Sequence, residues 1–321
     1  MSPSSSSSSS SSYTHHSPLP TADGPYILGV DEAGRGPVLG PLVYGVAYCP
    51  LSYKDDLDNL GFADSKTLTP EVRNELINTL NSDPTNLAWS VRVISPQDIS
   101  SGMLRKNPTN LNQQSQQATI TLIREVLDKG IQLAEVYVDA LGTIDKYQQY
   151  LSSTFPTIPS ITVATKADSK YKIVGAASIA AKVTRDRCLD DWAFEELPEP
   201  VASTEEEATG EEEEKEEKEE EEEGESGPRY RWNTEYGSGY PSDPNTKAWL
   251  KASLEPTFGF PSIARFSWTT VKVIMEKDGH AVQWFDEGQA SLIRAFDSAK
   301  GRERDRSHVA NDLCLRSVGD L

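Results

Sequence analysis

Residues 28–41 read LGVDEAGRGPVLGP. An apolar run, Tyr26, Ile27, Leu28, Gly29 and Val30, ends on two adjacent carboxylates, Asp31 and Glu32, and a Gly34-Arg35-Gly36 turn follows at once. The pattern predicts a strand that delivers two acidic groups to a sheet end. A backbone almost stripped of side chains then comes within reach of them. Carboxylates that take a divalent cation, beside bare amides able to touch a sugar-phosphate, point to phosphodiester chemistry. The stretch GRGPVLGP lacks the Lys-Ser/Thr of a P-loop, so a nucleotide cradle is a weaker reading.

Two segments stand apart from the folded part of the 321-residue chain. Residues 1–23 hold an unbroken serine run, Ser4 to Ser12, and almost nothing apolar, which predicts a disordered tail. This tail lacks the apolar core of a secretory signal, and no stretch is long enough to span a membrane. His15 and His16 fall in the tail, where a metal site is not expected. Residues 201–228 form a second such segment. Between Thr204 and Gly227 lie 15 glutamates against Lys215 and Lys218, a net −13 of the chain's −19, which leaves −6 for everything else. The acidity is therefore mostly a local, solvated insert, and the low pI does not argue against a nucleic-acid partner. The remaining roughly 270 residues suffice for one large core with a C-terminal extension. Cys49, Cys188 and Cys314 are odd in number and widely spaced, with no CxxC pair, which fits a reducing intracellular compartment.

Along the chain, strands are predicted at 25–31, 42–49, 87–94, 135–139 and 161–165. A helix opens at Thr69-Pro70-Glu71 and runs to Leu80, with threonine suited to the cap and proline to the first helical position. Residues 113–129 are amphipathic, and 174–194 begin with small residues that allow close packing on a sheet. Further helices are expected near 244–254 and 269–277. Strands first, then strand–helix alternation, predict an α/β protein with a mixed central sheet flanked by helices.

Asp31 closes the first predicted strand, Asp139 closes EVYVD, and Asp168 follows ITVAT in KADSKY. Open α/β sheets place their sites at such strand ends, so neighbouring strands would bring these carboxylates together. Oxygen ligands of this kind suit magnesium or manganese. Two such ions can activate a water and stabilise the leaving oxygen without a protein nucleophile. Taken singly, an Asp at a strand end is commonly a turn former or cap, and a glycine-rich turn is weak evidence. The combination of segments carries the reading.

VDEAGRGPVLGPLVYG at 30–45 is joined by ADSKTL at 63–68, VDALG at 138–142, KADSKY at 166–171, AASIAAKVTRD at 176–186 and YGSGYPSDPNTKAWL at 236–250. Together they resemble type 2 ribonuclease H, in detail the catalytic subunit of the eukaryotic enzyme, across about residues 25–197 and 229–275. The resemblance implies a ribonuclease H-like fold, with Asp31, Glu32, Asp139 and Asp168 as the catalytic, metal-binding acids. It implies hydrolysis of the RNA strand of RNA–DNA hybrids, and incision 5′ to a single ribonucleotide embedded in duplex DNA, leaving 3′-hydroxyl and 5′-phosphate ends. Magnesium or manganese ions, two with substrate bound, are implied as cofactors. Backbone groups of Gly34, Arg35 and Gly36 would meet the 2′-hydroxyl, the group that marks RNA. Tyr240 of the GYP motif would pack on the ribose at the junction. Lys66, with Ser65 nearby, is a candidate phosphate contact. Ser178, Lys182 and Arg185 share one helix face, which either meets the DNA backbone or pairs structurally.

Three features depart from the family pattern: the serine-rich tail, the glutamate insert just before YGSGYP, and residues 279–321. The resemblance assigns this last stretch to contact with two accessory subunits in a heterotrimer. A nuclear location and a part in ribonucleotide and RNA-primer removal rest on the resemblance alone. Two other readings compete. A different nuclease on the same fold would share the strand-end acids without requiring Gly34–Gly36 and Tyr240. A non-enzymatic acidic scaffold would bind histones or other basic partners through the glutamates.

Overall fold

The computed structural model describes residues 11–62, 68–194 and 232–281. The chain divides into two units, Met1–Gly279 and His280–Leu321, and every element named here belongs to the first. The glutamate insert, Ser65, Lys66 and all but the first residues of the C-terminal extension lie outside the described residues.

In chain order the elements are β1 (Tyr13–His16), β2 (Tyr26–Ala33), β3 (Leu42–Pro50), α1 (Lys54–Asn59), α2 (Pro70–Ser82), β4 (Ala88–Ile94), α3 (Pro96–Leu104), α4 (Leu111–Asp128), β5 (Leu133–Asp139), α5 (Ile144–Thr154), β6 (Ser160–Ala164), α6 (Ala167–Lys170), α7 (Lys172–Asp190), α8 (Pro244–Ala252) and α9 (Thr269–Asp278). The six strands form one sheet in the order β1-β4-β3-β2-β5-β6. Its first four strands pair antiparallel, and β5 and β6 add to β2 in parallel. The mixed sheet expected from the strand–helix order is therefore present.

Local chemistry accounts for several boundaries. Thr69 accepts a hydrogen bond from the Val72 amide at the start of α2, with Pro70 at its first position. Asn110 and Gln113 form a reciprocal capping box on α4. Asp243 and Pro244 open α8 in the same manner as the start of α2.

Residues 11–23 depart from the expected tail. Tyr13–His16 pairs with β4 and closes one edge of the sheet. His16 Nδ1 lies 2.7 Å from Ser90 Oγ, its Nε2 lies 3.1 Å from a Glu125 carboxylate oxygen, and the Tyr13 hydroxyl lies 3.6 Å from Cys188 Sγ. Four polar residues thus take strand form because an unpaired edge supplies the partners, a tertiary cause invisible in local composition.

The sheet is covered on both faces. Leu122, Ile123 and Val126 of α4 and Leu151 of α5 meet Leu28, Val30 and Tyr44 on one side. Leu76, Ile77 and Leu80 of α2 and the small-residue start of α7 meet Ile27, Val43 and Ala47 on the other. Helix α7 sits unusually close to the sheet because two strand positions have no side chain. A Cβ at Gly29 would lie 2.4 Å from the Ile173 backbone, and one at Gly45 would lie 2.5 Å from the Ala177 carbonyl. A third cluster joins Val38 and Leu39 to Leu189, Trp249, Ile263 and Val271, which packs the C-terminal segments onto the loop after β2.

Gly29→Ala is expected to destabilise the fold by ~3 kcal/mol, at the upper end of overpacking costs, because the clashing atoms are backbone. Urea unfolding measures it, and a midpoint unchanged from wild type would show that α7 can retreat without loss.

Candidate active site

Asp31 and Glu32 are consecutive on β2, so their side chains leave opposite faces of the sheet. Asp31 faces α7, where the Ser178 side chain hydrogen-bonds to it. The Glu32 amide donates to Asp31 Oδ1 at 2.7 Å. The parallel pairing of β2 with β5 ends at Val30 beside Val138, so the next residues, Asp31 and Asp139, come side by side where the strands part. One carboxylate oxygen each from Asp31, Glu32 and Asp139 lies within 4.8 Å of the others. Asp31 is buried, at 4 % exposure, and the other two are half-buried.

Burial raises the Asp31 pKa well above the ordinary carboxylate value, and the charges of Glu32 and then Asp139 raise it further. The hydrogen bonds from Ser178 and from the Glu32 amide act in the opposite direction and are outweighed. An ionised trio in this place is thus under like-charge strain. The donor set is all carboxylate oxygen, which fits a hard divalent cation such as magnesium or manganese.

Asp168 lies outside this tight trio but is fastened next to it. It is buried in the single turn α6, and the Ser169 amide donates to its Oδ1 at 2.9 Å. The Ala167 amide donates to Asp139 Oδ1 at 2.8 Å, so Asp139 holds the start of the turn that carries Asp168. Lys166 enters that turn with φ of 52°, the one non-glycine residue with positive φ among those described. Such a conformation costs ~1 kcal/mol or more for an L-residue and persists where surrounding contacts over-determine it.

The Gly34-Arg35-Gly36 loop leaves β2 immediately after the acids and is held from two sides. The Arg35 side chain donates to Ser115 Oγ at 2.7 Å and to Asn112 Oδ1, both on α4. On the other side stands Arg265, fully buried, which donates to the carbonyls of Gly34 at 2.6 Å, Gly40 at 2.8 Å and Arg35 at 3.3 Å. Its guanidinium stacks 4.7 Å from the Trp268 ring, and Trp268 Nε1 donates to the Gly36 carbonyl at 3.1 Å. Burial lowers the Arg265 pKa to about 9, which still leaves a cation at neutral pH. With the carbonyls of Gly34 and Arg35 turned toward Arg265, the trans peptide geometry turns the amides of Arg35 and Gly36 away from it.

Tyr240 arrives from the other end of the sequence. The Gly239 carbonyl accepts from the Val38 amide at 2.7 Å, and Thr246 Oγ1 accepts from the Gly239 amide at 3.0 Å. This places the Tyr240 ring over Gly36, where an added Cβ would lie 3.1 Å from Tyr240 Cε1. Tyr240 remains 44 % exposed, although the residue before it is hydrogen-bonded through both its amide and its carbonyl.

The shared face of α7 runs between these two parts of the site. Ser178 meets Asp31, Lys182 pairs with Asp186 at 2.6 Å, and Arg185 donates to Asp186 Oδ1 and to the Ser238 carbonyl, each at 3.1 Å. At 4 % exposure, Arg185 supports the 236–240 turn from beneath and presents little to solvent, so the structural alternative for this residue is the one its contacts favour. Arg265 and Trp268 are absent from the sequence-derived candidates. The available signal was an arginine inside the apolar stretch IARFSW.

Comparisons with known proteins agree with this geometry. The family profile of ribonuclease HII matches residues 28–199. The ribonuclease H2 A subunit of Arabidopsis thaliana is 45 % identical over 270 residues, covering 84 % of this chain and 80 % of the relative. Its Homo sapiens counterpart is 40 % identical over 299 residues, covering 91 % and 89 %. Among solved structures, the ribonuclease H2 of Pyrococcus horikoshii OT3 superposes with a TM-score of 0.57 at 30 % identity, over 78 % of this chain and 98 % of that one. No helix among the described residues is long and apolar enough to cross a membrane. With a family profile over more than half of its length and relatives of 40–45 % identity covering most of it, the chain belongs to the type 2 ribonucleases H, the ribonuclease HII family, and is an endoribonuclease.

Proposed function

We propose that this chain is the catalytic subunit of a ribonuclease H2 that hydrolyses the RNA strand of RNA–DNA hybrids and incises 5′ to single ribonucleotides embedded in duplex DNA. The observation that carries this reading is a direct adjacency. The strand bearing Asp31 and Glu32 ends at Ala33, Gly36 follows three residues later, and the exposed Tyr240 ring lies on Gly36. A group recognised at the loop therefore sits a fixed, short distance from the acids.

Asp31, Glu32 and Asp139, with Asp168 completing the set, would hold the divalent cations, two with substrate bound. Bound there, magnesium or manganese would supply activation of the attacking water and charge neutralisation on the leaving 3′-oxygen. The protein's own part is positional. Ser178 and the Glu32 amide fix the direction of the Asp31 carboxylate, and Asp139 binds the turn that carries Asp168. Amides of Arg35 and Gly36 face outward to receive a 2′-hydroxyl, a group that deoxyribose lacks. Tyr240 packs on the ribose and fixes the register of the strand, so that the phosphate on the 5′ side meets the acids. Lys182, on α7, is assigned to the phosphate backbone, as are Ser65 and Lys66, which lie outside the described residues. Two accessory subunits, a nuclear location and a part in removing ribonucleotides and RNA primers from DNA follow from kinship with the eukaryotic catalytic subunits. Residues 279–321 are assigned to contact with those partners on the same ground. A purely acidic scaffold leaves the converged carboxylates without a purpose.

Asp31→Asn tests the reaction. Cleavage of a duplex with one ribonucleotide is expected to fall at least ~100-fold, about 2.7 kcal/mol of transition-state stabilisation. The same variant should melt higher than wild type in metal-free buffer at neutral pH. The sign follows from the raised Asp31 pKa. Below the ordinary value of 3.8 the group is protonated folded or unfolded and costs nothing; above it, the cost of ionising the folded protein grows and levels off past the raised pKa. The gain in melting temperature should therefore vanish in strong acid. Full cleavage by Asp31→Asn would remove the enzymatic reading of this site.

Gly36→Ala tests recognition. Its methyl would push an exposed ring and no backbone, so stability should hold. Cleavage at a single ribonucleotide should drop about tenfold, ~1.4 kcal/mol. Equal rates for the variant and wild type would separate Tyr240 from substrate recognition.

A further inference from the structure

Glu32 and Tyr44 are direct cross-strand partners in the β2–β3 register, so both side chains leave the same sheet face, toward α4 and α5. Tyr44 is 1 % exposed. Around it are Ser115 and Thr119 of α4 and Tyr147 of α5, all buried. The hydroxyls of Tyr44, Thr119 and Tyr147 close no hydrogen bond of good geometry, although Ser115 lies beside Tyr44 and Thr119 beside Tyr147. Buried phenols are ordinarily paired, and phenylalanine would fill the same space without the cost of an unmet hydroxyl. Packing alone therefore leaves these hydroxyls unexplained.

Their surroundings give the explanation. Ser115 Oγ already accepts from Arg35 Nη1 at 2.7 Å, which ties the cluster to the recognition loop. At its other end the cluster adjoins Glu32. Both tyrosines feel the negative charge of Glu32 and the positive charge of Arg35, so both lie within the field of each. Carboxylates that ligate a cation are themselves commonly hydrogen-bonded through their second oxygen, and such partners set the ligand's direction. A phenol with spare hydrogen-bonding capacity, across the ladder from Glu32, is placed for that task.

We propose that Tyr44 is a positioning residue that donates to Glu32 when this carboxylate ligates a cation, and that Ser115 links it to Arg35, so that the metal site and the recognition loop are mechanically coupled. Tyr147 and Thr119 extend the same hydroxyl group and steady the phenol. The inference rests on the reading of Asp31, Glu32 and Asp139 as a metal site.

The test is manganese binding to the full-length, substrate-free chain, followed by titration calorimetry, for wild type and for Asp31→Asn, Glu32→Gln, Tyr44→Phe and the Tyr44→Phe/Glu32→Gln double variant. Tyr44→Phe is expected to weaken manganese binding about tenfold, the low end for loss of a ligand's hydrogen-bonding partner. Stability against urea should be unchanged or raised. The double variant should bind no more weakly than Glu32→Gln alone, since the phenol acts only through that carboxylate. Ser115→Ala, at the far end of the link, should lower kcat on a single-ribonucleotide duplex with little change in KM. Wild-type manganese affinity in Tyr44→Phe, or additive losses in the double variant, would overturn the proposal while leaving the metal site intact. Failure of wild type to bind manganese more tightly than Asp31→Asn would overturn the metal reading, and the proposal with it. If Tyr44→Phe does not fold, Tyr147→Phe, which removes the neighbouring phenol, is expected to weaken manganese binding in the same direction, and unchanged affinity there would overturn the coupling.

Discussion

Mutual repulsion among Asp31, Glu32 and Asp139 is the constraint around which the molecule is organised. Carboxylate oxygens within 4.8 Å of one another do not gather unless rigid elements hold them there. The sheet supplies most of that rigidity. Two acids come from adjacent parallel strands in fixed register, and the third follows the first on the same strand. Helix α7 completes the frame by pressing onto Gly29 and Gly45, close enough for Ser178 to reach Asp31. A looser helix would leave the buried acid with the Glu32 amide as its donor and without Ser178. The cost of assembling the trio is thus distributed over packing far from it, as is usual where a site holds strain for later use.

The loop that follows β2 is arranged differently from the acids. Its parts are backbone: amides of Arg35 and Gly36, and a glycine surface under Tyr240. Backbone groups in a loop have no intrinsic direction, so their orientation resides in what holds them. Arg265 and Trp268 take the carbonyls on one side, and α4 takes the Arg35 side chain on the other. The arginine in the motif therefore works as an anchor, and the chemistry it exposes belongs to the main chain.

The strands that carry the acids were legible in the sequence because they are short apolar runs ending on charge, and the register that joins Asp31 to Asp139 follows from their being neighbours. The small-residue start of α7 likewise announced close packing. What could not be read depends on distant partners. Tyr13–His16 looks like polar tail until the free edge of β4 is present. Helices α3 and α5, nine and eleven residues long, are absent from the predicted elements. The sequence leaves Arg185 open between a nucleic-acid contact and a structural pair, and only the 236–240 turn above it decides, since the residue is buried beneath that turn. The role of Arg265 is invisible because its acceptors lie 225 to 231 residues earlier in the chain.

That last separation has a consequence for biosynthesis. A chain is made from its N-terminus, and the acids on β2 and β5 can assemble while Arg265, Trp268 and Tyr240 are still unmade. Until residue 268 has left the ribosome, the loop 34–36 lacks the groups that turn its carbonyls inward. A nascent chain can therefore bring the acids together before the loop beside them is held in place. The loop takes its final form in one late step, when the last segment closes over it, so a product truncated before Arg265 retains its acids but not the anchored loop.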